Sequence, residues 1–347
     1  MNNKQNKRLG LVIAFCSFLF INGCKKDEET IVTTENNKGV IVVNEGGFLK
    51  SNGSVGIYKP GTSEYFDLFQ KTNGRPLGDV VQSMTLINEK YYIIINNSNK
   101  IEVVNQSDFK SVTSITVNQP RNIIKVSETK AYISQFDNSM GILDLGSNTI
   151  SGTINVKSST ENMALLNNKV YVGKAYSDKI FVINTVNNNV VDSLVIGSGL
   201  SSIVNVGDNQ LAIFCLGAVD FNTGAVTENG KIVFLNKDSV KVERKLTLAT
   251  GSYGGSLLNN NGTLYFTFGN KSIYSIASSA TTGTGTLILT TPGSVYGFNV
   301  DATNGNLYVT DAGDYSSAGK VYIYNSFGVK QKEFIVGIVP SKIIFNY

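Results

Sequence analysis

Tyr91-Tyr92-Ile93-Ile94-Ile95 is a short apolar run with tyrosine at its second position, and it returns along the chain. The equivalent tyrosines are Tyr132, Tyr171, Tyr265 and Tyr308, and Ala212 takes the same place in Gln210-Leu211-Ala212-Ile213-Phe214. From Tyr92 onward, successive copies lie 40, 39, 41, 53 and 43 residues apart. Another apolar run precedes each copy, such as Met84-Thr85-Leu86-Ile87 and Asn122-Ile123-Ile124-Lys125-Val126. A third run follows, often opening with lysine and closing with asparagine, as in residues 100–105, 179–184, 231–236 and 320–325. A fourth alternates apolar and polar residues, as in 111–117, 191–196 and 242–248. Short runs rich in Val, Ile, Tyr and Thr, punctuated by Asn, Gly and Ser, are strand-and-turn chemistry. The asparagines that close the third run belong in the turns. Four strands at a period near forty mark a β-propeller blade, because one twisted four-stranded sheet cannot bury both faces alone.

The two ends of the chain complete the count. Residues 340–347, Pro-Ser-Lys-Ile-Ile-Phe-Asn-Tyr, read as a lone first strand. Residues 40–43, 54–58 and 64–70 read as a second, third and fourth strand without a first. Joined, they form a seventh blade, in which the C-terminal strand pairs with the N-terminal ones. The expectation is an all-β, seven-bladed propeller of four-stranded antiparallel blades over residues 38–347. Such closure leaves few exposed edges and ties the termini together.

Ahead of the propeller, Lys4, Lys7 and Arg8 precede an apolar stretch, Leu9 to Ile21, that is too short for a permanent bilayer-spanning helix. Ile21-Asn22-Gly23-Cys24 resembles a lipobox, which makes residues 1–23 a lipoprotein signal peptide and Cys24 the lipidated first residue. Lys25-Lys26-Asp27-Glu28-Glu29 is similar to the charged signal that carries lipoproteins of Bacteroidota to the outer face of the outer membrane. Residues 24–37 are polar, lack a core pattern and read as a flexible tether. The expected location is the outer membrane, lipid-anchored and exposed at the cell surface.

Composition narrows the chemistry. The chain has no histidine, which removes imidazole bases, Ser-His-Asp arrangements and His metal ligands. Of its three cysteines, Cys16 leaves with the signal and Cys24 carries lipid, so Cys215 remains as a buried apolar thiol with no disulfide partner. Without the signal, 27 basic residues face 26 acidic ones and no basic stripe is present, so nucleic acid is not an expected partner. Gly251-Ser252-Tyr253-Gly254-Gly255 and Thr282-Gly283-Thr284-Gly285 lack the strand-to-helix setting of a phosphate cradle and read as turns. Asp311 and Asp314 fall short of calcium-loop spacing. No cofactor and no amphipathic helix is expected.

In a propeller, the loops from second to third strand and from fourth strand to the next blade open on one face. Here they combine aromatics, amides and a few charges, including Asn44-Glu45-Gly46-Gly47-Phe48, residues 75–79, Pro120-Arg121, Thr160-Glu161 and Val295-Tyr296. That mixture suits a bulky polar ligand, and loops carry function more often than strands. The candidate ligand-binding residues are Tyr176, Tyr253, Tyr296 and Tyr315, with Arg75 and Asn97 as polar partners. Asn44, Asn97 and Asp79 also suit a purely loop-shaping role. Arg121 and Glu161 hold matching positions on adjacent blades and are expected to form an ion pair at the channel mouth.

Asn44-Glu45-Gly46, residues 73–84 (Asn-Gly-Arg-Pro-Leu-Gly-Asp-Val-Val-Gln-Ser-Met), residues 96–104 and Pro120-Arg121 resemble the YncE-like propeller lipoproteins of Bacteroidota. Thr160 and Ser201-Ser202 depart from that pattern, which has a proline at the corresponding junctions. Some relatives capture cobalamin at the cell surface and pass it to a TonB-dependent transporter. The resemblance therefore implies a corrinoid or other nutrient as ligand and such a transporter as partner, but it assigns no contact residue. The expected activity is binding without turnover. An adhesion or protein/glycan interaction module remains open, as does a metal-dependent propeller lyase or lactonase with a carboxylate-only metal site.

Overall fold

Seven sheets of four antiparallel strands each account for nearly all the regular structure. The computed structural model describes residues 37–347 apart from Tyr176, Phe221, Asp238, Ser239 and residues 249–254. Blade 1 comprises Val81–Ile87, Lys90–Ile95, Lys100–Asn105 and Ser111–Thr116, counted from the innermost strand outward. Blades 2 to 6 repeat this order over residues 120–155, 160–195, 200–247, 257–290 and 297–338. Blade 7 takes its inner strand, Pro340–Asn346, from the C-terminus and pairs it with Gly39–Asn44, followed by Ser54–Tyr58 and Tyr65–Asp67. Val42 faces Ile343 and Ile41 faces Ile344 across that seam, which closes the ring as expected.

The marker tyrosine has a physical role. Tyr92 and Tyr132 are fully buried, yet each hydroxyl donates to an asparagine in the outer hairpin of the following blade. Tyr92 reaches Asn148 Oδ1 at 2.7 Å, and Tyr132 reaches Asn188 Oδ1. Both asparagines hold positive φ, +54° and +60°, a left-handed conformation that Asn tolerates better than most residues. One repeated residue thus satisfies another, and the pair locks blade to blade. Tyr171 lacks this partner and its hydroxyl is buried without a hydrogen bond. The matching stretch of blade 4, residues 237–241, carries no asparagine.

One local reading changes. The fourth strand expected over residues 64–70 is only Tyr65–Asp67, and the chain turns into the helix Leu68–Asn73. Asp67 caps that helix by accepting from the Gln70 amide, Leu68 and Phe69 are buried, and Gly74 ends it at φ +68°. Asn37, the last residue of the expected tether, is buried, donates to Ser107 O and accepts from Asn346 Nδ2. The 53-residue interval has a cause: a small hairpin, Ala218–Val219 with Val226–Glu228, is inserted between the second and third strands of blade 4. The expected signal peptide, Cys24 and the rest of the expected tether lie outside the described residues. No helix among the described residues is long and apolar enough to cross a membrane.

Candidate functional site

An irregularity repeated at the start of the inner strands builds the site. In blades 1 to 4 the pairing with the second strand slips between Val81 and Ser83, Pro120 and Asn122, Thr160 and Met163, and Leu200 and Ser202. At the seam it slips again where Val43 and Asn44 face Lys342 and Pro340. Such bulges leave a residue unpaired and re-aim its side chain. The released residues are Gln82, Arg121, Glu161 with Asn162, Ser201 and Ser341. Positive φ precedes several of these strands, at Val80 (+58°), Gln119 (+40°), Gly199 (+68°) and Val339 (+53°). A β-branched valine there is strained, and such strain collects at functional sites. It is held by a recurring bond: the carbonyls of Val80, Gln119, Gly199 and Val339 accept from the amides of Asn96, Phe136, Leu216 and Glu45.

The released side chains join across blades. Arg121 donates Nε and Nη2 to the two oxygens of Glu161 at 3.0 Å each, and Nη1 to Gln82 Oε1 at 2.6 Å. Its guanidinium also lies 4.4 Å from the Phe136 ring centre. The ion pair expected from sequence is therefore present and two-pronged.

These residues border three neighbouring recesses that share lining residues. An axial chamber of about 280 Å³ is lined by Gln82, Arg121, Asn122, Glu161, Ser201 and Lys342, among others. Gln82 and Arg121 also line a mouth of about 510 Å³ with Glu45, Phe48, Tyr296 and Tyr315. Glu161 and Leu200 also border a recess of about 520 Å³ over blades 3 and 4, with Lys174, Asp178 and Leu216. Each recess is of a size that holds small molecules or parts of them.

Tyr296 and Tyr315 form an edge-to-face pair with ring centres 5.6 Å apart. Tyr296 donates to Glu45 Oε2 at 3.1 Å. Burial raises the Glu45 carboxyl above the usual range, opposed by the Tyr296 hydrogen bond and by Lys342 and Arg121. Burial and the Glu45 carboxylate together push the Tyr296 hydroxyl up. Enclosure lowers the Lys342 ammonium, with Glu45 and Glu161 opposing and Arg121 reinforcing the shift. The Lys342 side chain is nonetheless exposed to solvent in the chamber.

Of the six candidate ligand residues, the structure brings Tyr296 and Tyr315 together at the mouth. Arg75 sits elsewhere: it donates to the fully buried Glu102 at 2.6 Å and to Ser111 Oγ at 3.1 Å, and stacks over Phe69. Asn97 pins a loop, donating to Asp79 Oδ2 at 2.5 Å beside the Leu49 amide. Tyr176 and Tyr253 lie outside the described residues. Sequence reasoning left Glu45, Gln82 and Lys342 out of the candidate set. Aligning the inner strands on their first residues would have raised Gln82 with Arg121 and Glu161, whereas nothing local marks Lys342.

The described residues hold no group of three or more Asp, Glu or Cys side chains placed to bind a metal ion. Cys215 is buried at the end of a second strand, where burial pushes its thiol up to about 12. Asp311 and Asp314 serve turns: Asp311 accepts from Tyr322 and the Gly313 amide, and Asp314 from the amides of Ser316 and Ser317.

No curated protein matches the sequence. Solved structures similar to the chain include a quinonprotein alcohol dehydrogenase-like protein of Bacteroides thetaiotaomicron, 16% identical, with a TM-score of 0.69 over 90% of this chain and 79% of that one. The hydrazine synthase of Kuenenia stuttgartiensis is 14% identical, with a TM-score of 0.61 over 82% and 92% of the two chains. AztD of Citrobacter koseri is 13% identical, with a TM-score of 0.54 over 87% and 82%. At these identities the likeness shows the propeller fold alone. A family model matches residues 38–214, more than half of the sequence, so the chain belongs to the family described as Domain of unknown function (DUF5074).

Proposed function

We propose that the protein is a surface-anchored capture module that holds a small organic ligand on its loop face without turning it over. The adjoining recesses around Gln82, Arg121 and Glu161 carry this reading, because repeated bulges and strained backbone are spent on shaping them. The side chains lining the axial chamber and its mouth include amides, tyrosines, Phe48, a few aliphatic groups, one ion pair and two further charges, which suit recognition by many modest contacts. The polarity of the fold agrees with a tether. Asn37 enters beside Ser107 and Asn346, at the ends of the strands opposite to the mouth. The resemblance to YncE-like lipoproteins makes a corrinoid the first ligand to test and a TonB-dependent transporter the partner to seek.

The test is calorimetry of the purified protein against corrinoids and a glycan panel, with Tyr296→Ala/Tyr315→Ala as the control. The expected result is binding that weakens at least about fivefold in the double variant, corresponding to about 1 kcal/mol at an anchoring aromatic. Full affinity in a folded double variant would move the site off this face. Chemical conversion of a bound compound would overturn binding without turnover.

A further inference from the structure

Four charged side chains border the axial chamber or its mouth: Arg121, Glu161, Glu45 and Lys342. The first two consume each other, since both Glu161 oxygens accept from Arg121. Glu45 accepts from the Tyr296 hydroxyl. Lys342 has neither a hydrogen bond nor an ion pair with any described residue; Glu45, Glu161 and Arg121 act on it only at longer range. Its place is structural, because the closing strand delivers it to the chamber across from Leu200 and Ser201.

The uncharged donors point the same way. Arg121 can only donate, so the side chain of Gln82 must offer it oxygen, and the Gln82 amide N–H groups remain unspent. The Asn122 side chain is also without a partner. Lys342, Gln82 and Asn122 thus bring free donors into the chamber. The Lys342 ammonium has no close counter-ion, so an anion entering the chamber can form a charge-assisted hydrogen bond with it.

We infer that the axial chamber is an anion subsite: it takes the carboxylate or phosphate of a small organic molecule against Lys342, Gln82 and Asn122. The molecule's unsaturated body lies outward against Tyr296, Tyr315 and Phe48 at the mouth. This rests on the loop-face reading and adds to it the charge and orientation of the ligand.

The experiment is calorimetry of the purified full-length protein with benzoate, phenyl phosphate, neutral benzamide and cationic benzylammonium. At least one anion is expected to bind ten or more times more tightly than benzamide. Comparing benzoate with phenyl phosphate shows which anionic group fits. Lys342→Gln should erase the preference, Lys342→Arg should retain it, and Glu45→Gln should preserve or strengthen it. Lys342 has no bond to lose, so the variants should fold, and thermal melting checks this. Preference for benzylammonium, failure of both anions to bind, or an anion preference that survives Lys342→Gln each overturns the subsite. Equal binding of all four probes that is lost in Tyr296→Ala also overturns it, yet leaves the loop-face reading standing. Binding that survives every variant at the mouth overturns both.

Discussion

At the scale of single residues, the same side-chain type does different work depending on where the bulges aim it. Arg121 is released into the mouth, whereas Arg75 neutralises Glu102, whose carboxylate is fully buried and also accepts from Ser111 at 2.5 Å. Arg75→Ala should therefore destabilise the fold by about 1.5–3 kcal/mol, the usual worth of a hydrogen bond to a charged group, without changing ligand affinity. Denaturant melts and calorimetry on one variant separate the two effects. Glu45 gives the opposite signature. Its carboxyl titrates higher in the folded than in the unfolded chain, so its contribution to stability is greatest below the unfolded value and is lost as pH rises through the folded one. Glu45→Gln keeps an oxygen for Tyr296 and should raise the melting temperature at pH 7, with the gain vanishing near pH 4. Melts at the two pH values check the sign, and a gain confined to pH 4 would contradict the burial of this group.

At the scale of elements, the inner strands carry both closure and site. Pro340–Asn346 supplies Ile343 to the core, packs Ile344 and Phe345 against it, and delivers Lys342 to the chamber. Ending the chain at Val339 removes these apolar contacts and the seam ladder. The loss should be several kcal/mol, at roughly 1.5–3 kcal/mol per fully buried apolar side chain. A truncated protein that melts with the intact one would refute the seam. The expected outcome is an open, aggregation-prone ring, since Gly39–Asn44 would become an unprotected edge.

At the scale of the whole molecule, the two faces differ in role. The loop face gathers bulges, strained backbone and recesses, while the opposite face receives the chain at Asn37. If Cys24 is lipidated and the domain faces outward, protease added to intact cells should digest the protein. Replacing Lys26, Asp27, Glu28 and Glu29 with alanine should reduce that access. Full protection of the unaltered protein would place the domain on the inner side of the membrane.

By itself the sequence determined the blade count, the shared seventh blade and the Arg121–Glu161 pair, because these follow from period and matching position. Tyr92 recurs at fixed intervals, and the apolar Ile343-Ile344-Phe345 run can close only against strands that lack an inner partner. The short helix after Asp67 was hidden, since six residues are too few to display a helical period. The composition of the mouth was decided by tertiary structure alone. Local pattern cannot show that Arg75 turns to a buried carboxylate while Lys342, almost at the end of the chain, comes within electrostatic range of Glu45 near its beginning. Those outcomes depend on ring closure and on one-residue slips of register, and a slip changes where a side chain points without changing the apolar pattern around it.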